Sequence, residues 1–160
     1  MISKNFKIML LVVSIIFLCS CAEKVDPQKE IEKNRNEIIN EAPISSDYTI
    51  VEPAQNLSND LKAFSGQWVG KWNDVHSSQL VVTNVGRKKV TFIYSWGANP
   101  SKNIDAGSVT KTVNFDEHQR INFEKEDAIF TFTVDTLLNK VIGAQINGDI
   151  VSNIVMEKIR

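Results

Sequence analysis

The chain has 160 residues, with 18 lysines and arginines against 19 aspartates and glutamates and a formal net charge of -1. This length allows one domain with a connecting segment. Within 66–160, eleven basic and ten acidic side chains balance each other, so no surface is expected that would neutralise a run of phosphates. Nucleic acid is therefore not expected as a partner.

The N-terminus has the pattern of an export signal. Lys4 and Lys7 precede an uncharged apolar run over 8–18. These eleven residues are too few to span a hydrocarbon core, which needs about 20. The stretch that follows, Leu18-Cys19-Ser20-Cys21, resembles the lipobox of bacterial lipoprotein signal peptides.

The lipobox resemblance implies where the protein works. Residues 1–20 would be removed, Cys21 would carry the acyl chains, among them palmitate, and the protein would be anchored in a bacterial cell envelope. Ala22 after the cysteine favours the outer membrane, facing the periplasm, if the organism has two membranes. Two alternatives stay open, namely a secretory signal with an unmodified product and a short uncleaved anchor. With both cysteines used in this way no disulfide remains, so the core must hold the domain.

Residues 21–64 are predicted to be a flexible, lipidated tether. The stretch 22–65 is acidic, with five basic and nine acidic side chains. Ile31 and Ile38 share a face of one weak helix, and Ser58 is placed to cap a short helical turn. Such a linker could hold the folded body roughly 100 Å from the bilayer. The alternative is a segment that docks on the body.

From residue 65 to 160 the sequence predicts an all-β domain that folds without the tether. Short runs rich in Val, Ile, Thr and Phe alternate with turn residues, and period two is clear in Val90, Phe92 and Tyr94. Short connections favour pairing of consecutive strands, and closure removes exposed edges. We therefore predict an eight-stranded antiparallel up-and-down β-barrel with strands at 66–73, 79–85, 88–96, 108–115, 120–123, 128–134, 141–147 and 150–159.

The first predicted strand contains Gly66-Gln67-Trp68, continued by Gly70 and Trp72. This Gly-x-Trp resembles the motif that opens the first strand of lipocalins and other calycins. The resemblance implies a lipocalin-like barrel whose base is built by Gly66, Trp68, Gly70 and Trp72. From the last strand, Lys158 and Arg160 are the basic residues available to lie over the Trp68 indole.

The long loop 97–107 follows Trp96 at the end of the third predicted strand. Because binding residues often lie on loops of a rigid scaffold, Tyr94, Trp96 and Asn99 are the candidate ligand-binding residues at a barrel mouth. The alternative is that Trp96 fills the barrel end as core.

Catalytic groups are sparse in this sequence. His76 and His118 lie in predicted turns beside acids, and neither has the partners of a metal or acid/base site. No nucleophile elbow, phosphate loop or zinc-binding helix motif occurs. We expect no enzymatic activity, no catalytic residue, no metal and no cofactor.

Two functions remain for such a barrel, because eight strands enclose an interior that is either just filled or able to hold one small ligand. The first is binding of a small apolar or sugar-like ligand in the barrel or at its mouth. The second is a protein-binding adaptor or inhibitor in the envelope, with a filled barrel.

Overall fold

The computed structural model describes residues 26–44 and 47–160. Two helices, α1 (Pro27–Glu41) and α2 (Asn59–Ala63), precede the sheet, and a short 3-10 turn covers Pro100–Lys102. The strands are β1 (Gly66–Trp72), β2 (His76–Val85), β3 (Lys89–Trp96), β4 (Gly107–Asn114), β5 (Ile121–Lys125), β6 (Ala128–Asp135), β7 (Lys140–Asn147) and β8 (Ile150–Lys158). The predicted lipidation site, Cys21, lies outside the described residues.

The eight strands form one sheet in the order β4-β3-β2-β1-β8-β7-β6-β5. Consecutive strands pair antiparallel, and β1 also pairs with β8, Trp68 opposite Lys158. Between β4 and β5 one isolated bridge, Phe115 to Ile121, replaces a full ladder. The predicted eight-stranded up-and-down barrel is thus confirmed, nearly closed, with its opening between β4 and β5.

Alternation along the strands places the core inside the barrel. Val90, Phe92 and Tyr94 on β3 are 0 to 2% exposed, and Phe130 and Phe132 on β6 are 4% and 0% exposed. Thr131 and Thr133, on either side of Phe132, point outward and are half-buried. The aromatic content of the sequence therefore lies mainly in the barrel interior.

The base of the barrel is closed by residues before the first strand. Leu57, Leu61 and Phe64 are buried in the same apolar core as the strands. The Trp68 indole donates a hydrogen bond to the Phe64 carbonyl at 2.8 Å, and Lys158 Nζ lies 5.0 Å from the Trp68 ring. Burial lowers the pKa of Lys158. The folded unit therefore begins before residue 65, because its core includes side chains from the predicted tether.

The described part of the predicted tether is not a flexible spacer, because it packs on the outer wall of the barrel. Asp26 caps α1 by accepting from the Gln28 amide at 3.0 Å. Ile38 and Ala42 at the other end of the helix are 3% and 0% exposed. Glu41 accepts a hydrogen bond from the Ser77 hydroxyl on β2 at 2.5 Å. Residues 26–44 are thus held to the barrel, and the 100 Å spacer is not formed.

The N-terminal segment docks because of the side chains on the outer face of β1, β2 and β3. Val69, Val81 and Ile93 point outward there, yet they are 0 to 4% exposed because residues 38–44 and 47–51 cover this face. Gln79, also on this face, donates to the Ile39 and Ala42 carbonyls, and Ser95 donates to the Ala42 carbonyl at 2.7 Å. The covering segment therefore satisfies its own backbone while burying an apolar wall.

Within the described residues, neither helix is long and apolar enough to cross a bilayer.

Candidate ligand-binding site

The end of the barrel opposite α2 is open. It is formed by the β1–β2, β5–β6 and β7–β8 turns and by the 97–106 loop between β3 and β4. A cavity of about 390 Å³ lies there, bounded by side chains from seven of the eight strands, all except β4. This volume is in the range of small-molecule sites, which begins at about 300 Å³. We call it the mouth cavity.

Trp72, Tyr94 and Phe130 form the floor of the mouth cavity. The Trp72 indole donates to the Tyr94 hydroxyl at 2.9 Å, and the Ser78 hydroxyl lies 3.3 Å from the same oxygen. Burial raises the pKa of Tyr94 to about 12, although its hydrogen bonds to Ser78 and Trp72 act in the opposite direction. The floor therefore carries a neutral phenol whose hydrogen bonds are made within the protein.

Below this floor the barrel is filled. The Phe123 and Phe130 rings are stacked with centroids 5.0 Å apart, and Phe92 lies 5.0 Å from Phe123. Phe132 lies 5.9 Å from Trp72. Aromatic pairs at these separations are close-packed. The interior is therefore solid in its lower part, and only a shallow cup at the mouth is open.

Trp96 forms one wall of the cup, at the unpaired gap of the barrel. Its Cα partner is Gly107 on β4, and a side chain at that position would meet the Trp96 ring at 2.8 Å. The indole can therefore lie across β4 toward β5, where Lys125 Nζ stands 4.1 Å from its ring centroid. Its Nε1 donates to the Asp105 carbonyl at 2.9 Å. Trp96 is half-buried, so it is fixed in place and still faces the cavity.

A polar edge opposite Trp96 is organised by Asn99. Although it lies in the loop, Asn99 is 7% exposed. Its Nδ2 lies 3.0 Å from His76 Nε2, and its Oδ1 accepts from the Ser101 hydroxyl at 2.7 Å. Because the Asn99 nitrogen is a donor, the pair fits a neutral His76 ring that accepts at Nε2. These bonds fix the start of the long loop above the cup.

Besides the Tyr94 phenol, the ionisable groups that line the mouth cavity are His76, Lys102 and Lys125. Among the residues that the structure describes, no carboxylate lines it. The Lys125 side chain is 17% exposed and donates to Glu126 at 2.5 Å, but the Glu126 side chain is 70% exposed and lies outside the cup. The lining thus offers hydrogen-bond donors and positive charge beside aromatic rings.

The three residues predicted at the mouth, Tyr94, Trp96 and Asn99, are brought together there as floor, wall and edge. Of the residues assigned to the base, Trp68 lies there, and Gly66 lies against the backbone of Arg160. Gly70 lies in mid-strand, where a side chain would meet the Val155 carbonyl at 2.6 Å. Trp72 differs from the prediction: β1 runs from base to mouth, so Trp72 belongs to the floor of the cup.

Sequence reasoning missed Lys125, Phe130, Gln145 and Ser152 as lining residues. They lie at the mouth ends of β5, β6, β7 and β8, and the up-and-down order alone indicates that these ends meet. Which side chain faces inward depends on register, which a short strand such as β5 does not fix in the sequence. His76 also lines the cavity, although in the sequence it was a candidate only for a metal or an acid/base role. Among the described residues, no group of three or more histidines, cysteines, aspartates or glutamates could hold a metal ion.

No protein-family model matches the sequence, and no curated protein matches it. Among solved structures, the chain is similar to a mutant of the fluorescent protein UnaG, with 10% sequence identity and a TM-score of 0.38. The alignment covers 62% of this chain and 98% of that one.

Proposed function

We propose that the protein is a non-catalytic binder of a small planar ligand, held in the mouth cavity. The observation that carries this proposal is the cup itself, with an aromatic floor and wall and a donor-rich edge above a filled barrel. Concave, mostly apolar sites with a few placed polar groups are the usual form of small-molecule sites. The filled lower barrel limits the ligand to the depth of the cup.

The lining also indicates the chemistry of the ligand. Trp96 and Tyr94, with ring centroids 5.9 Å apart and planes 27° apart, offer adjacent apolar ring surfaces against which a flat ring system can pack. Lys125 beside Trp96 would receive a carbonyl or carboxylate oxygen, and Asn99 and His76 would face polar groups at the edge. We therefore propose a flat, largely apolar ligand that carries hydrogen-bond acceptors or an acidic group.

The test uses the anionic planar dye 8-anilinonaphthalene-1-sulfonate, whose emission rises in apolar sites. We expect saturable binding, weakened about ten-fold by Trp96→Ala, which is about 1.4 kcal/mol. Lys125→Ala should weaken binding of the dye and spare that of a neutral planar dye. Lys88→Ala, which removes an exposed cation in the β2–β3 turn at the base, is the matched control. Equal binding by all three variants would contradict the proposal.

The natural ligand can be sought directly. The protein purified from its own envelope extract is denatured, and the released small molecules are compared with those released by the Trp96→Ala variant. A compound enriched only with the unsubstituted protein supports the proposed site. Compounds released equally by both proteins would instead point to another surface.

We further propose that the protein acts in a bacterial cell envelope, anchored by acyl chains on Cys21. The support is the lipobox resemblance in the sequence. Metabolic labelling with palmitate should mark the unsubstituted chain, and Cys21→Ser should abolish both the label and signal removal. Label retained on the Cys21→Ser chain would contradict the anchor.

A further inference from the structure

The outer wall of the barrel carries an uncovered aliphatic face. Five β-branched side chains on β6, β7 and β8 point outward and are 40 to 56% exposed: Ile129, Ile142, Ile146, Val151 and Val155. Strand register sets them in two rows, with Ile129, Ile146 and Val151 side by side and Ile142 beside Val155. We call these five residues the β6–β8 face. An apolar surface of this kind marks a site of interaction with a protein or a membrane.

On the other side of the barrel, the outward-pointing aliphatic side chains are covered. Val69, Val81 and Ile93 on β1, β2 and β3 also point outward, but residues 38–44 and 47–51 bury them. The exposed positions of β4, such as Thr110 and Thr112, are polar. The β6–β8 face is therefore the aliphatic wall that the described residues leave without a cover.

Helix α1 leads from the covered side toward this face. Its C-terminal end contacts β2, as described above; Glu37 then pairs with Lys71 on β1 at 2.7 Å, and Arg35 pairs with Glu157 on β8 at 3.1 Å. The helix thus crosses β2, β1 and β8 in that order. Residues 27–34 consequently continue from Arg35 on the β8 side of the barrel.

The chain between this helix and the proposed anchor is short. Residues 27–34 add about 12 Å of helix beyond Arg35, at 1.5 Å per residue. Five residue steps from Cys21 to Asp26 reach at most about 18 Å. Counting also the step from Asp26 to Pro27, Cys21 is within about 34 Å of Arg35, whose side chain is held to Glu157 on β8. The length of the chain therefore ties the proposed anchor to the part of the barrel from which α1 emerges.

An exposed isoleucine on α1 continues the apolar surface. Ile31 and Ile38 are seven residues apart and so share one helical face. Ile38 is buried against the barrel. Ile31 lies about two turns nearer the anchor and is 42% exposed. Ile31 therefore extends the aliphatic character from the β8 side toward the N-terminus of the helix.

Because the chain between α1 and Cys21 is short and the β6–β8 face is uncovered, we propose that this face lies on the membrane that holds the anchor. This inference rests on the proposed acylation of Cys21. The body is then apposed to the bilayer surface instead of standing away from it. Its aliphatic side chains enter the interfacial region, adding apolar contact to that of the acyl chains. In this orientation the mouth cavity opens along the membrane surface, where a sparingly soluble planar ligand would partition.

The test uses the full acylated chain in vesicles of phosphatidylethanolamine and phosphatidylglycerol. Ile146→Cys on the face and Thr110→Cys on the far side of the barrel are each labelled with nitrobenzoxadiazole. With Cys19 removed and Cys21 acylated, each chain has one free thiol. We expect the label at position 146 to be quenched several-fold more by nitroxide on the lipid acyl chains. Iodide in the water should quench the label at position 110 more strongly.

Each outcome separates the two proposals. Acylated protein on vesicles whose two labels are quenched equally by the lipid nitroxide would overturn the apposition and leave the anchor standing. Absence of palmitate on the chain would overturn the anchor and, with it, the apposition. A label at position 146 that is shielded from iodide but not reached by the lipid nitroxide, in protein that sediments as a dimer, would assign the face to a second copy of the chain and overturn the membrane contact.

Discussion

The Trp72 indole nitrogen lies 2.9 Å from the Tyr94 hydroxyl, and this hydrogen bond marks the level where the filled barrel ends and the cup begins. Trp72 comes from the end of β1 and Tyr94 from β3, so the bond crosses β2 inside the barrel. Ser78 on β2 completes the connection. Three neighbouring strands thus hold the floor in one position, which gives a ligand a rigid surface.

Tyr94→Phe is expected to destabilise the protein. It keeps the aromatic packing with Phe123 and Phe130 but leaves the buried Trp72 indole without an acceptor. An unsatisfied buried donor costs about 1 to 3 kcal/mol. Urea unfolding should show this loss in the free energy of unfolding. Ser78→Ala, which removes a hydroxyl and leaves the Trp72–Tyr94 bond, is the control and should cost less. Equal losses in the free energy of unfolding would show that the hydrogen bond between Trp72 and Tyr94 is not the main cause of the destabilisation.

The raised pKa of Tyr94 gives an alkaline prediction. An unfolded tyrosine ionises near pH 10, whereas burial raises the pKa of Tyr94 to about 12 in the folded protein. The folded state therefore binds this proton more tightly, so its contribution to stability is full below pH 10 and is lost as the pH rises through 12. The 295 nm phenolate absorbance of the native protein, less that of Tyr94→Phe, should rise only near pH 12. A midpoint at 10 would contradict the buried floor.

Trp68 and Trp96 are expected to differ in their effects. Trp68 is 0% exposed at the base, so Trp68→Ala should cost about 3 to 5 kcal/mol. Trp96 is half-buried at the mouth, and Trp96→Ala should cost about 1 to 2 kcal/mol while impairing dye binding. Thermal melts of both variants show which one loses more stability, and dye titrations show which one binds more weakly. If Trp96→Ala unfolds the protein as completely as Trp68→Ala does, then Trp96 is core and the proposed wall is wrong.

Asp116 at the base gives an acid prediction. Burial opposes its ionisation, but hydrogen bonds from the Arg120 backbone and side chain, from Asn122 and from the His118 amide hold the pKa of Asp116 well below its usual range. A depressed pKa stabilises the fold above the unfolded value of about 3.9, and this stability is lost as the pH falls below it. Asp116→Asn should therefore be less stable at pH 7 and differ less from the unsubstituted protein near pH 2. A constant difference would contradict this role.

The sequence predicted the barrel well because each strand carries its own signal. Alternation in β3 and β6 and short turns identify strands, and the observed ends differ from the predicted ones by three residues or fewer. The depth of the cup was not predictable in this way. It depends on how Phe92, Phe123 and Phe130, from three different strands, meet inside, and no single strand contains that information.

The sequence of β2 indicates that a further segment of the chain covers the outer wall of the barrel. In β2, Leu80, Val81 and Val82 are consecutive apolar residues, and all are 0% exposed. An uninterrupted apolar run indicates a strand buried on both faces, so a cover was required. Which segment supplies the cover could not be read, because residues 42–44 and 47–51 bond to the wall with backbone groups, such as the Ala42 and Pro43 carbonyls and the Val51 amide, and have no periodic pattern of their own.

Helix docking gives the last prediction. Ile38 is 3% exposed against the barrel wall, so Ile38→Ala should cost about 2 to 4 kcal/mol, as for other buried isoleucines. Ile31→Ala removes the same atoms from the same helical face where the side chain is 42% exposed, and should change the free energy of unfolding by less than about 0.5 kcal/mol. Both are measured by urea unfolding of a chain that begins at Ala22 and so lacks the predicted signal and the acylated cysteine. A chain shortened to residues 66–160 should be less stable still, because it lacks the buried Leu57, Leu61 and Phe64 as well as the cover. If Ile38→Ala and Ile31→Ala prove equally mild, α1 is not held to the barrel, and the short connection on which the membrane apposition depends does not exist.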